Sequence, residues 1–254
     1  MSANQSLESH VALVTGSSSG IGSAVAVALA AEGAQVIVNY PDDRQSGAAA
    51  QIKTAIEAAG GTACTVMADV SDEEAVDHLV DSAKQTFGPI SILVNNAGIA
   101  NAAPVHEMAV EQFDRLISVH LRGMFLTTRS VLPMMYREKR GRIINTASQL
   151  AYKGAAGFAH YTAAKGAIIS FTRSLALELV DSGITANCVA PGATRTPMLD
   201  DVPNDVLEEI RQAIPLGRLA EVEDIVPSYV FLASEAGRHY QGQCISPNGG
   251  DVFL

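Results

Sequence analysis

The chain has 254 residues, a formal net charge of −10, 48% hydrophobic residues and 17% charged residues. This composition is typical of a compact globular protein and excludes an intrinsically disordered chain. Diffuse negative charge opposes binding to nucleic-acid phosphates and to anionic lipids, so we expect no nucleic-acid partner and no membrane partner. The one basic cluster, Arg137–Arg142, lies between apolar stretches and is interpreted as a solvated loop.

The first ten residues contain neither a basic stretch nor an apolar segment, and no apolar run approaches the roughly 18 residues that a membrane span needs. The three cysteines, Cys64, Cys188 and Cys244, include no Cys-x-x-Cys pair. Each lies in an apolar, strand-like segment, where a buried thiol is the ordinary interpretation. We therefore expect a protein of a reducing, cytoplasmic compartment.

Short β-rich runs alternate with Ala-rich helical patterns along the chain. The predicted strands are Val11–Thr15, Gln35–Asn39, Thr62–Met67, Ile90–Asn95, Arg142–Thr146, Thr185–Val189 and Gln243–Ser246. The predicted helices between them are Ile21–Glu32, Gln45–Ala59, Glu73–Phe87, Val110–Arg137, Tyr161–Asp181 and Val222–Ala233. Several strand segments are almost continuously apolar, which indicates strands covered on both faces.

This alternation predicts an α/β fold in which one parallel sheet lies between two layers of helices, joined by right-handed crossovers. No linker, repeat or low-complexity tract divides the sequence, so residues 1–254 are expected to form a single domain. In such a sheet, ligands bind beyond the carboxyl ends of the strands, where the strand order reverses. The residues that follow each strand are therefore the candidate functional residues.

The segment after the first predicted strand reads TGSSSGIG, residues 15–22, and leads into a helix. Gly16, Gly20 and Gly22 let the backbone turn tightly and approach a diphosphate group. The amino terminus of the helix adds free N–H groups and the positive end of a dipole. The glycine spacing alone is weak evidence, since an ordinary glycine-rich turn could share it, but its place between the first strand and the first helix favours a dinucleotide site.

The second predicted strand ends at Asn39, beside the expected adenosine ribose, where a carboxylate would bind a 2′-hydroxyl and a basic residue a 2′-phosphate. No carboxylate stands at the strand end itself. Arg44 follows closely enough to reach a 2′-phosphate, although the two aspartates before it oppose this. The sequence therefore favours NADP while leaving NAD open. After the third strand, Asp69 and Val70 are candidates for the adenine edge; the alternative for Asp69 is a place in a helix cap.

Tyr161 and Lys165 are four residues apart in a helical pattern, so both side chains project from one face, about 6 Å apart along the axis. A phenol with a pKa near 10 is a poor base at neutral pH. A lysine cation about 5 Å away, at an effective dielectric constant of 20, favours phenolate by roughly 3 kcal/mol and so lowers the phenol pKa by about 2.4. We therefore predict that this pair can transfer a proton at neutral pH.

The Tyr-x-x-x-Lys spacing is weak evidence by itself, because an amphipathic tyrosine beside an exposed lysine produces it too. Ser148 strengthens the interpretation. It follows a predicted strand at the edge where substrate is expected, and its hydroxyl can hydrogen-bond a substrate oxygen that develops charge.

In chain order, TGSSSGIG (15–22), NNAG (95–98), Ser148, Tyr161-x-x-x-Lys165 and PG (191–192) resemble the short-chain dehydrogenase/reductase family, from Val11 to about Gly250. The resemblance implies a Rossmann-type three-layer sandwich with a seven-stranded parallel sheet. It implies an NAD(P)-dependent oxidoreductase that moves a hydride between nicotinamide and a carbonyl or secondary alcohol. Tyr161 would exchange a proton with the substrate oxygen, Ser148 would orient that oxygen, and Lys165 would lower the Tyr161 pKa and bind the nicotinamide ribose.

The resemblance also implies cofactor contacts, with Asn95 and Ala97 near the fourth strand and Pro191, Gly192 and Thr194 around the nicotinamide carboxamide. The residues expected to bind the cofactor are Gly16, Ser18, Gly20, Ile21, Gly22, Asn39, Asp69, Val70, Asn95, Ala97, Gly98, Tyr161, Lys165, Pro191, Gly192 and Thr194. The histidines form no ligand-like cluster in the sequence, so no metal is expected.

One position departs from the family pattern. His120 stands where the family usually has an asparagine that stabilises a helix kink and supports a water in the proton relay from the lysine. We hypothesise that His120 keeps the relay and titrates within it; a packed helix histidine is the alternative. His160 precedes Tyr161 but points in another direction on a helix, so we assign it no role.

Residues 194–215 follow the sixth predicted strand and are expected to form a lid with a short helix over the substrate. Arg195 in this segment either meets an anionic substrate or is simply solvated.

The strand end Asn39-Tyr40 and residues 191–198 and 214–225 are similar to those of 3-oxoacyl-acyl carrier protein reductases and glucose 1-dehydrogenases. The first similarity implies a 3-oxoacyl thioester or related ketone as substrate, and the second implies a sugar or polyol. A nicotinamide-binding protein without turnover is the alternative of another class. Homologous folds form tetramers through long helices and the last strand, so a homotetramer is expected.

Overall fold

The computed structural model describes residues 6–200 and 202–253 of the chain. Residues 1–5 and 254 of the predicted domain and residue 201 of the predicted lid lie outside the described residues. Seven strands form the sheet: β1 (Val11–Val14), β2 (Gln35–Tyr40), β3 (Thr62–Met67), β4 (Ile92–Asn95), β5 (Gly141–Thr146), β6 (Ile184–Val189) and β7 (Cys244–Ile245). All pairings are parallel, in the order β3-β2-β1-β4-β5-β6-β7.

Helices connect consecutive strands. They are α1 (Gly20–Ala31), α2 (Ser46–Ala58), α3 (Glu73–Phe87), α4 (Val110–Ile117), α5 (Gly123–Glu138), α6 (Leu150–Lys153), α7 (Ala159–Glu178), α8 (Asn204–Ala213) and α9 (Val222–Ala233). Short 3-10 segments occur at Asp43–Gln45, Pro197–Leu199 and Glu235–Gly237.

Alternate residues of each strand face opposite helix layers, because successive side chains of a strand point to opposite sides. In β1, Ala12 and Val14 pack with α1, α2 and α9, whereas Val11 and Leu13 pack with α3, α5 and α7. All four side chains are buried. The sheet is therefore covered on both faces, which explains its nearly continuous apolar strands and confirms the predicted α/β class.

The predicted helix Val110–Arg137 is wrong as a single regular helix. A five-residue π-helical turn, Ser118–Arg122, separates α4 from α5. The turn inserts extra backbone into a helix that otherwise continues, and such turns are often found at functional sites. Apolar periodicity does not reveal it, because the pattern on either side remains helical. The last predicted strand is also shorter than expected, since only Cys244 and Ile245 join the sheet.

The strand order reverses between β1 and β4. β1 pairs with β2 on one side and with β4 on the other, although β4 follows three strands later in the chain. The crossovers on the two sides of this point leave in opposite directions, which opens a crevice at the carboxyl ends of the strands.

Candidate active site

The loops after β1 and β4 are tied together at the crevice. The Thr15 hydroxyl oxygen accepts hydrogen bonds from the backbone amides of Asn96, at 3.0 Å, and Ala97, at 3.1 Å. The Asn96 side chain in turn donates to the backbone carbonyls of Thr15 and Gly16, both at 3.1 Å. Asn96 lies in the recognised NNAG segment, but its clamping of the glycine loop was not foreseen.

The loop between β1 and α1 requires glycine for two reasons. Gly16 has a φ of 59°, and a Cβ there would lie 2.8 Å from the Cα of Ala97. A Cβ on Gly22 would lie 2.5 Å from the Gly16 carbonyl oxygen. Ser19 at the N-cap of α1 makes no capping hydrogen bond and no acidic residue lies in the first turn, so the helix amino terminus keeps its donors and its positive end for an anion. These residues fit the diphosphate of a dinucleotide.

Two amides predicted to contact the cofactor point into the protein instead. The side chain of Asn39 accepts from the Gly16 amide at 3.1 Å and donates to the Ala68 carbonyl at 3.0 Å. The side chain of Asn95 donates to the Asn145 side chain at 2.8 Å within the buried interior. Both amides hold neighbouring strands and loops in place, because a buried amide must satisfy its own hydrogen bonds, and the cofactor contacts of Asn39 and Asn95 stay a prediction.

The region after β2 contains the charges that were expected near the adenosine ribose. Arg44 pairs with Asp42 at 2.6 Å, and 90% of the Arg44 side chain is exposed. The hydroxyl of Ser18, a predicted cofactor contact, donates to the side-chain oxygen of Gln45. The only basic side chain of this loop is thus bound to an acidic neighbour of its own turn.

Asp69 and Val70 follow β3 at the carboxyl edge of the sheet. The Asp69 carboxylate accepts from the Ser71 amide at 2.9 Å and pairs with Arg115 at 2.8 Å. The alternative that Asp69 caps a helix is wrong, because Asp72 caps α3 by accepting from the Ala75 amide. Val70 is buried.

The structure brings Ser148, Tyr161 and Lys165 together at the carboxyl ends of β4 to β6. The Ser148 hydroxyl lies close enough to the phenol of Tyr161 to lower its pKa. The Lys165 ammonium donates to the Thr146 carbonyl at 2.7 Å and lies 5.6 Å from the centroid of the Tyr161 ring. The shared helix face and the separation predicted from the four-residue spacing are both present.

The loop after β6 closes the same end of the crevice. The Gln149 amide donates to the Pro191 carbonyl at 3.0 Å, which ties this loop to the residue after Ser148. The Gly192 amide donates to the Pro247 carbonyl at 3.0 Å, and the Thr194 hydroxyl donates to the Gly192 carbonyl at 2.9 Å. Pro191, Gly192 and Thr194 thus form one connected wall beside Ser148.

Comparison with known proteins agrees with this geometry. A family model described as enoyl-(acyl carrier protein) reductase matches residues 16–251. A 3-oxoacyl-acyl-carrier-protein reductase of Synechocystis sp. is 41% identical over 98% of this chain and 99% of its own length. The chain belongs to the short-chain dehydrogenase/reductase family. It is accordingly an NAD(P)-dependent oxidoreductase, as the sequence motifs predicted.

Solved structures of this family have the same fold. A protein of Sinorhizobium meliloti described as a short-chain alcohol dehydrogenase superposes with a TM-score of 0.93 at 33% identity, over 98% of both chains. A protein of Beutenbergia cavernae described as an NAD(P)-dependent gluconate 5-dehydrogenase, with NADP bound at low occupancy, superposes with a TM-score of 0.91 at 34% identity, again over 98% of both chains.

The electrostatics of this short-chain dehydrogenase/reductase differ from the prediction at one point. Burial lowers the pKa of Lys165 to about 7, so the amine is only partly protonated at neutral pH. Burial raises the pKa of the Tyr161 phenol, and the hydrogen bond from Ser148 opposes that rise. The expected lowering of the phenol pKa by the lysine is therefore wrong for the protein alone. The low dielectric that would strengthen the attraction also discharges the lysine.

His120 lies in the π-helical turn and is 2% exposed. Its Nε2 is 2.9 Å from the amide nitrogen of Ile99 and 2.8 Å from the carbonyl oxygen, so it binds the loop after β4 in either tautomer. The ring contacts the Tyr161 ring edge to face, with centroids 5.4 Å apart. A Cβ on Gly98 would lie 2.7 Å from the imidazole, so the predicted cofactor residue Gly98 is needed to accommodate His120.

Burial holds the pKa of His120 well below its usual value, and the nearby charge of Lys165 adds to this effect. The imidazole is therefore neutral at physiological pH, which argues against the hypothesis that it titrates within the relay. Its Nδ1 has no hydrogen-bond partner among residues 6–200 and 202–253. A cavity of about 10 Å³, close to the room that one water needs, is lined by His120, Asn95 and Thr146, among others.

His160 has a structural contact that the sequence did not indicate. It is buried, and its Nε2 lies 2.7 Å from the side-chain oxygen of Asn101, in the loop after β4. Burial lowers the pKa of His160. The histidine thereby fixes the substrate-side loop to the start of α7, directly before Tyr161. Helical periodicity gives no sign of this contact, because Asn101 lies in an irregular segment.

The segment 194–215 contains the 3-10 turn Pro197–Leu199 and α8, so the expected short helix is present. Arg195 forms an ion pair with Glu221 at 3.0 Å and is more than half exposed. No cluster of three or more His, Cys, Asp or Glu side chains able to hold a metal is found in the described part of the chain. Within the same residues, every helix is too short or too polar to span a membrane.

Proposed function

We propose that this enzyme interconverts a ketone and a secondary alcohol, with Tyr161 as the proton-transfer group, Ser148 as the group that orients the substrate oxygen, and Lys165 as the amine that supports both. The observation that carries the proposal is the closeness of the Ser148 hydroxyl to the Tyr161 phenol, one helical turn from Lys165 and beside the glycine crevice.

The chain supplies proton transfer and orientation, whereas bound NAD(P) supplies or accepts the hydride. In the reductive direction Tyr161 donates its phenol proton to the carbonyl oxygen as negative charge develops there. Ser148 donates a hydrogen bond to the same oxygen and stabilises that charge. The protonated amine of Lys165 has three N–H groups. One donates to the Thr146 carbonyl, which leaves two for the nicotinamide ribose and for proton resupply. In oxidation the same groups act in reverse.

The proposed cofactor set comprises the backbone of Gly16, Gly20, Ile21 and Gly22 for the diphosphate, with Ala97 and Gly98 beside the ribose. Asp69 and Val70 are proposed for the adenine, and Pro191, Gly192 and Thr194 for the carboxamide. NADP is the preferred cofactor in this proposal. The strand end at Asn39 presents no carboxylate to repel a 2′-phosphate, and the Beutenbergia cavernae relative binds NADP.

A 3-oxoacyl thioester or a related ketone is the proposed substrate class. The 41% identity to the Synechocystis reductase over almost the whole of both chains supports it. The alternative is a sugar or polyol, supported by the Beutenbergia cavernae protein described as a gluconate 5-dehydrogenase. The alternative of another class, a nicotinamide-binding protein without turnover, is opposed by the assembled Ser148, Tyr161 and Lys165.

The test is nicotinamide absorbance at 340 nm with both cofactors and a panel of 3-oxoacyl thioesters, simple ketones, sugars and polyols. We expect reduction of a 3-oxoacyl thioester with NADPH. The Tyr161→Phe variant is expected to lose about 10²–10⁴-fold in kcat because the phenol proton is gone. NADPH fluorescence should show nearly unchanged cofactor binding in this variant.

The matched control is Tyr136→Phe, which removes a phenol hydroxyl from the exposed face of α5. It should leave kcat and cofactor binding unchanged. Oxidation of a sugar or polyol in place of thioester reduction would favour the second substrate class. Cofactor binding with no turnover on any substrate, or full turnover by Tyr161→Phe, would contradict the catalytic proposal.

Three wider features belong to the same proposal. One domain carries both cofactor and substrate, with segment 194–215 as its lid; protection of this segment from proteolysis by NADP would support that role.

The enzyme is a homotetramer of the cytoplasm. The exposed apolar side chains Phe125, Leu177 and Val180 on and after α5 and α7 support self-association, and three free thiols suit a reducing compartment. Light scattering tests the tetramer, and Leu177→Lys should weaken it.

A further inference from the structure

Two thiols face each other across the last two strands. Cys188 of β6 is directly paired with Cys244 of β7 in the parallel ladder. Paired residues of neighbouring parallel strands project from the same face, and the strands lie about 4.8 Å apart. This separation falls within the Cα distance of about 4.4–6.8 Å that a disulfide spans. The strand register therefore brings the two sulfur atoms together.

The Cys188 thiol has two acceptors for its single proton. Its sulfur donates to the Thr172 hydroxyl oxygen at 3.1 Å, and the Cys244 sulfur lies close enough to shift its pKa. The Thr172 hydroxyl proton is already donated to the Ile168 carbonyl at 2.7 Å. Thr172 also accepts from the Asn145 side chain at 2.8 Å. The Cys188 proton is therefore free to turn toward Cys244 without leaving Thr172 unpaired.

The two sulfurs differ in environment. The hydrogen bond from Cys188 lowers the pKa of Cys244, burial opposes this effect, and the Tyr152 hydroxyl and the Arg173 charge add to the lowering. Cys244 is partly exposed, whereas Cys188 is 1% exposed. Hydrogen bonding and burial raise the pKa of Cys188 well above its usual value. A partly exposed cysteine with a lowered pKa thus lies beside a buried cysteine with a raised pKa, and this is the pairing of a peroxide-sensitive cysteine with a resolving cysteine.

We propose that Cys244 and Cys188 form an oxidation site for hydroperoxides, in which Cys244 reacts first and Cys188 closes a disulfide between β6 and β7. In the first step the Cys244 thiolate attacks a peroxide oxygen. A sulfur–oxygen bond forms, the oxygen–oxygen bond breaks, and hydroxide or alkoxide leaves. In the second step the Cys188 sulfur attacks the Cys244 sulfur. A sulfur–sulfur bond forms, the sulfur–oxygen bond breaks, and water leaves with the Cys188 proton.

The disulfide acts on the active site through two connections. Tyr152, which contacts Cys244, lies in α6 just after Ser148. The residues after β7 hold the loop after β6, because the Pro247 carbonyl accepts from the Gly192 amide. A disulfide draws β6 and β7 together and therefore moves both α6 and the loop after β6, which adjoin the Ser148 pocket. Disulfide formation therefore lowers turnover, and a dithiol reductant restores it.

The experiment treats the full-length protein with a small molar excess of hydrogen peroxide, blocks remaining thiols with an alkylating agent and digests with trypsin without reduction. Cleavage after Arg173, Arg195 and Arg238 places Cys188 in segment 174–195 and Cys244 in segment 239–254. We expect these two segments to be linked, with a mass loss of about 2 Da from disulfide formation. Turnover of the best substrate from the absorbance panel should fall in parallel and recover with dithiothreitol.

The matched control is Cys64→Ala, because Cys64 lies on β3 without a cysteine neighbour and burial raises its pKa. This variant should form the linked segments and lose turnover like the unaltered chain. In Cys188→Ala, dimedone should trap a sulfenic acid at Cys244. In Cys244→Ala, Cys188 should stay reduced.

Phenylarsine oxide, which bridges two neighbouring thiols, gives a second measurement on the unaltered chain that needs no oxidation and no folded variant. One equivalent should bind and protect both cysteines from alkylation. The proposal is overturned if the linked segments do not form, if Cys64 oxidises as fast as Cys244, if the arsenical leaves the pair alkylated, or if the disulfide forms and turnover stays unchanged.

Discussion

The cofactor crevice and the catalytic pocket share one edge of the sheet, yet different physical effects set them. Backbone geometry sets the crevice, because Gly16 and Gly22 leave space that any side chain would fill. Burial sets the pocket, because it discharges Lys165 and keeps His120 neutral. The first kind of site can be identified from residue order. The second kind depends on how far each polar group is buried, and that burial is determined only when the chain folds.

The largest effect is expected from Lys165→Met, which keeps the length of the side chain and removes its charge. Turnover should fall about 10²–10³-fold, because the amine no longer supports the proton transfer of Tyr161. Stopped-flow or steady-state absorbance at saturating cofactor measures this loss. Unchanged turnover would show that the pocket does not use the lysine charge.

The same variant should be more stable than the unaltered protein at neutral pH. The pKa of Lys165 falls from its ordinary 10.5 to about 7 on folding. Between these values the unfolded chain binds a proton that the folded chain does not, so wild-type stability rises with pH through this range. The advantage of methionine is therefore largest below pH 7, at most about 5 kcal/mol, and disappears near pH 10.5. Urea unfolding at pH 6.5 and pH 10 measures it; an advantage that does not shrink with pH would contradict a buried, discharged lysine.

The second effect concerns the crevice. Gly22→Ala places a methyl group against the Gly16 carbonyl and the Asn96 side chain, so the loop must move. We expect cofactor affinity to fall about 10- to 100-fold and stability to fall by about 1–3 kcal/mol. Titration of NADPH fluorescence and urea unfolding measure the two losses.

The control is Gly47→Ala in α2, where a Cβ meets no atom within 4 Å. Alanine there should raise stability by about 0.5–1 kcal/mol, because it restricts the unfolded chain, and leave cofactor affinity unchanged. Equal behaviour of the two variants would mean that the crevice is not set by close backbone contact.

The contrast between local backbone geometry and burial explains which features could be predicted from the sequence. The glycine loop and the Tyr161–Lys165 spacing follow from local geometry, and both lie where they were expected. The inward hydrogen bonds of the Asn39 amide could not be predicted, because Gly16 and Ala68 are distant from it in sequence. The π-helical turn before α5 inserts backbone without breaking the apolar pattern. The contact between His160 and Asn101 joins the start of α7 to the loop after β4, and no periodicity encodes their proximity.

A smaller effect is expected from His120→Asn. Because the imidazole is neutral throughout the physiological range, the pH–rate profile between pH 6 and 8 should keep its shape, with kcat changing less than about 10-fold. Stability should change at acid pH. The unfolded chain protonates this histidine below about pH 6.5 and the folded chain does not, so the unaltered protein loses stability as pH falls, and asparagine removes that loss.

His10→Asn is the control for acid stability alone. Burial lowers the pKa of His10 to about 4, and its ring bonds Ser91 at the opposite edge of the sheet. This variant should also reduce the loss of stability between pH 6.5 and pH 4 while leaving kcat untouched. The hypothesis of a titrating relay would be restored if His120→Asn lost a limb of the pH–rate profile that the unaltered protein shows, or if the substitution left the acid stability curve unchanged.

The smallest effect tests the ion pair in the loop after β2. Asp42 holds Arg44 in an exposed ion pair, and such pairs are weak in water, so Asp42→Asn should free the guanidinium for a 2′-phosphate. The ratio of kcat/KM for NADP over NAD should rise about two- to five-fold. Asp43→Asn is matched in charge, and no ion pair of Asp43 occurs among the described residues, so it should change the ratio less. If both substitutions raise the ratio equally, net charge near the 2′-position determines the preference; if only Asp42→Asn does, the release of Arg44 determines it.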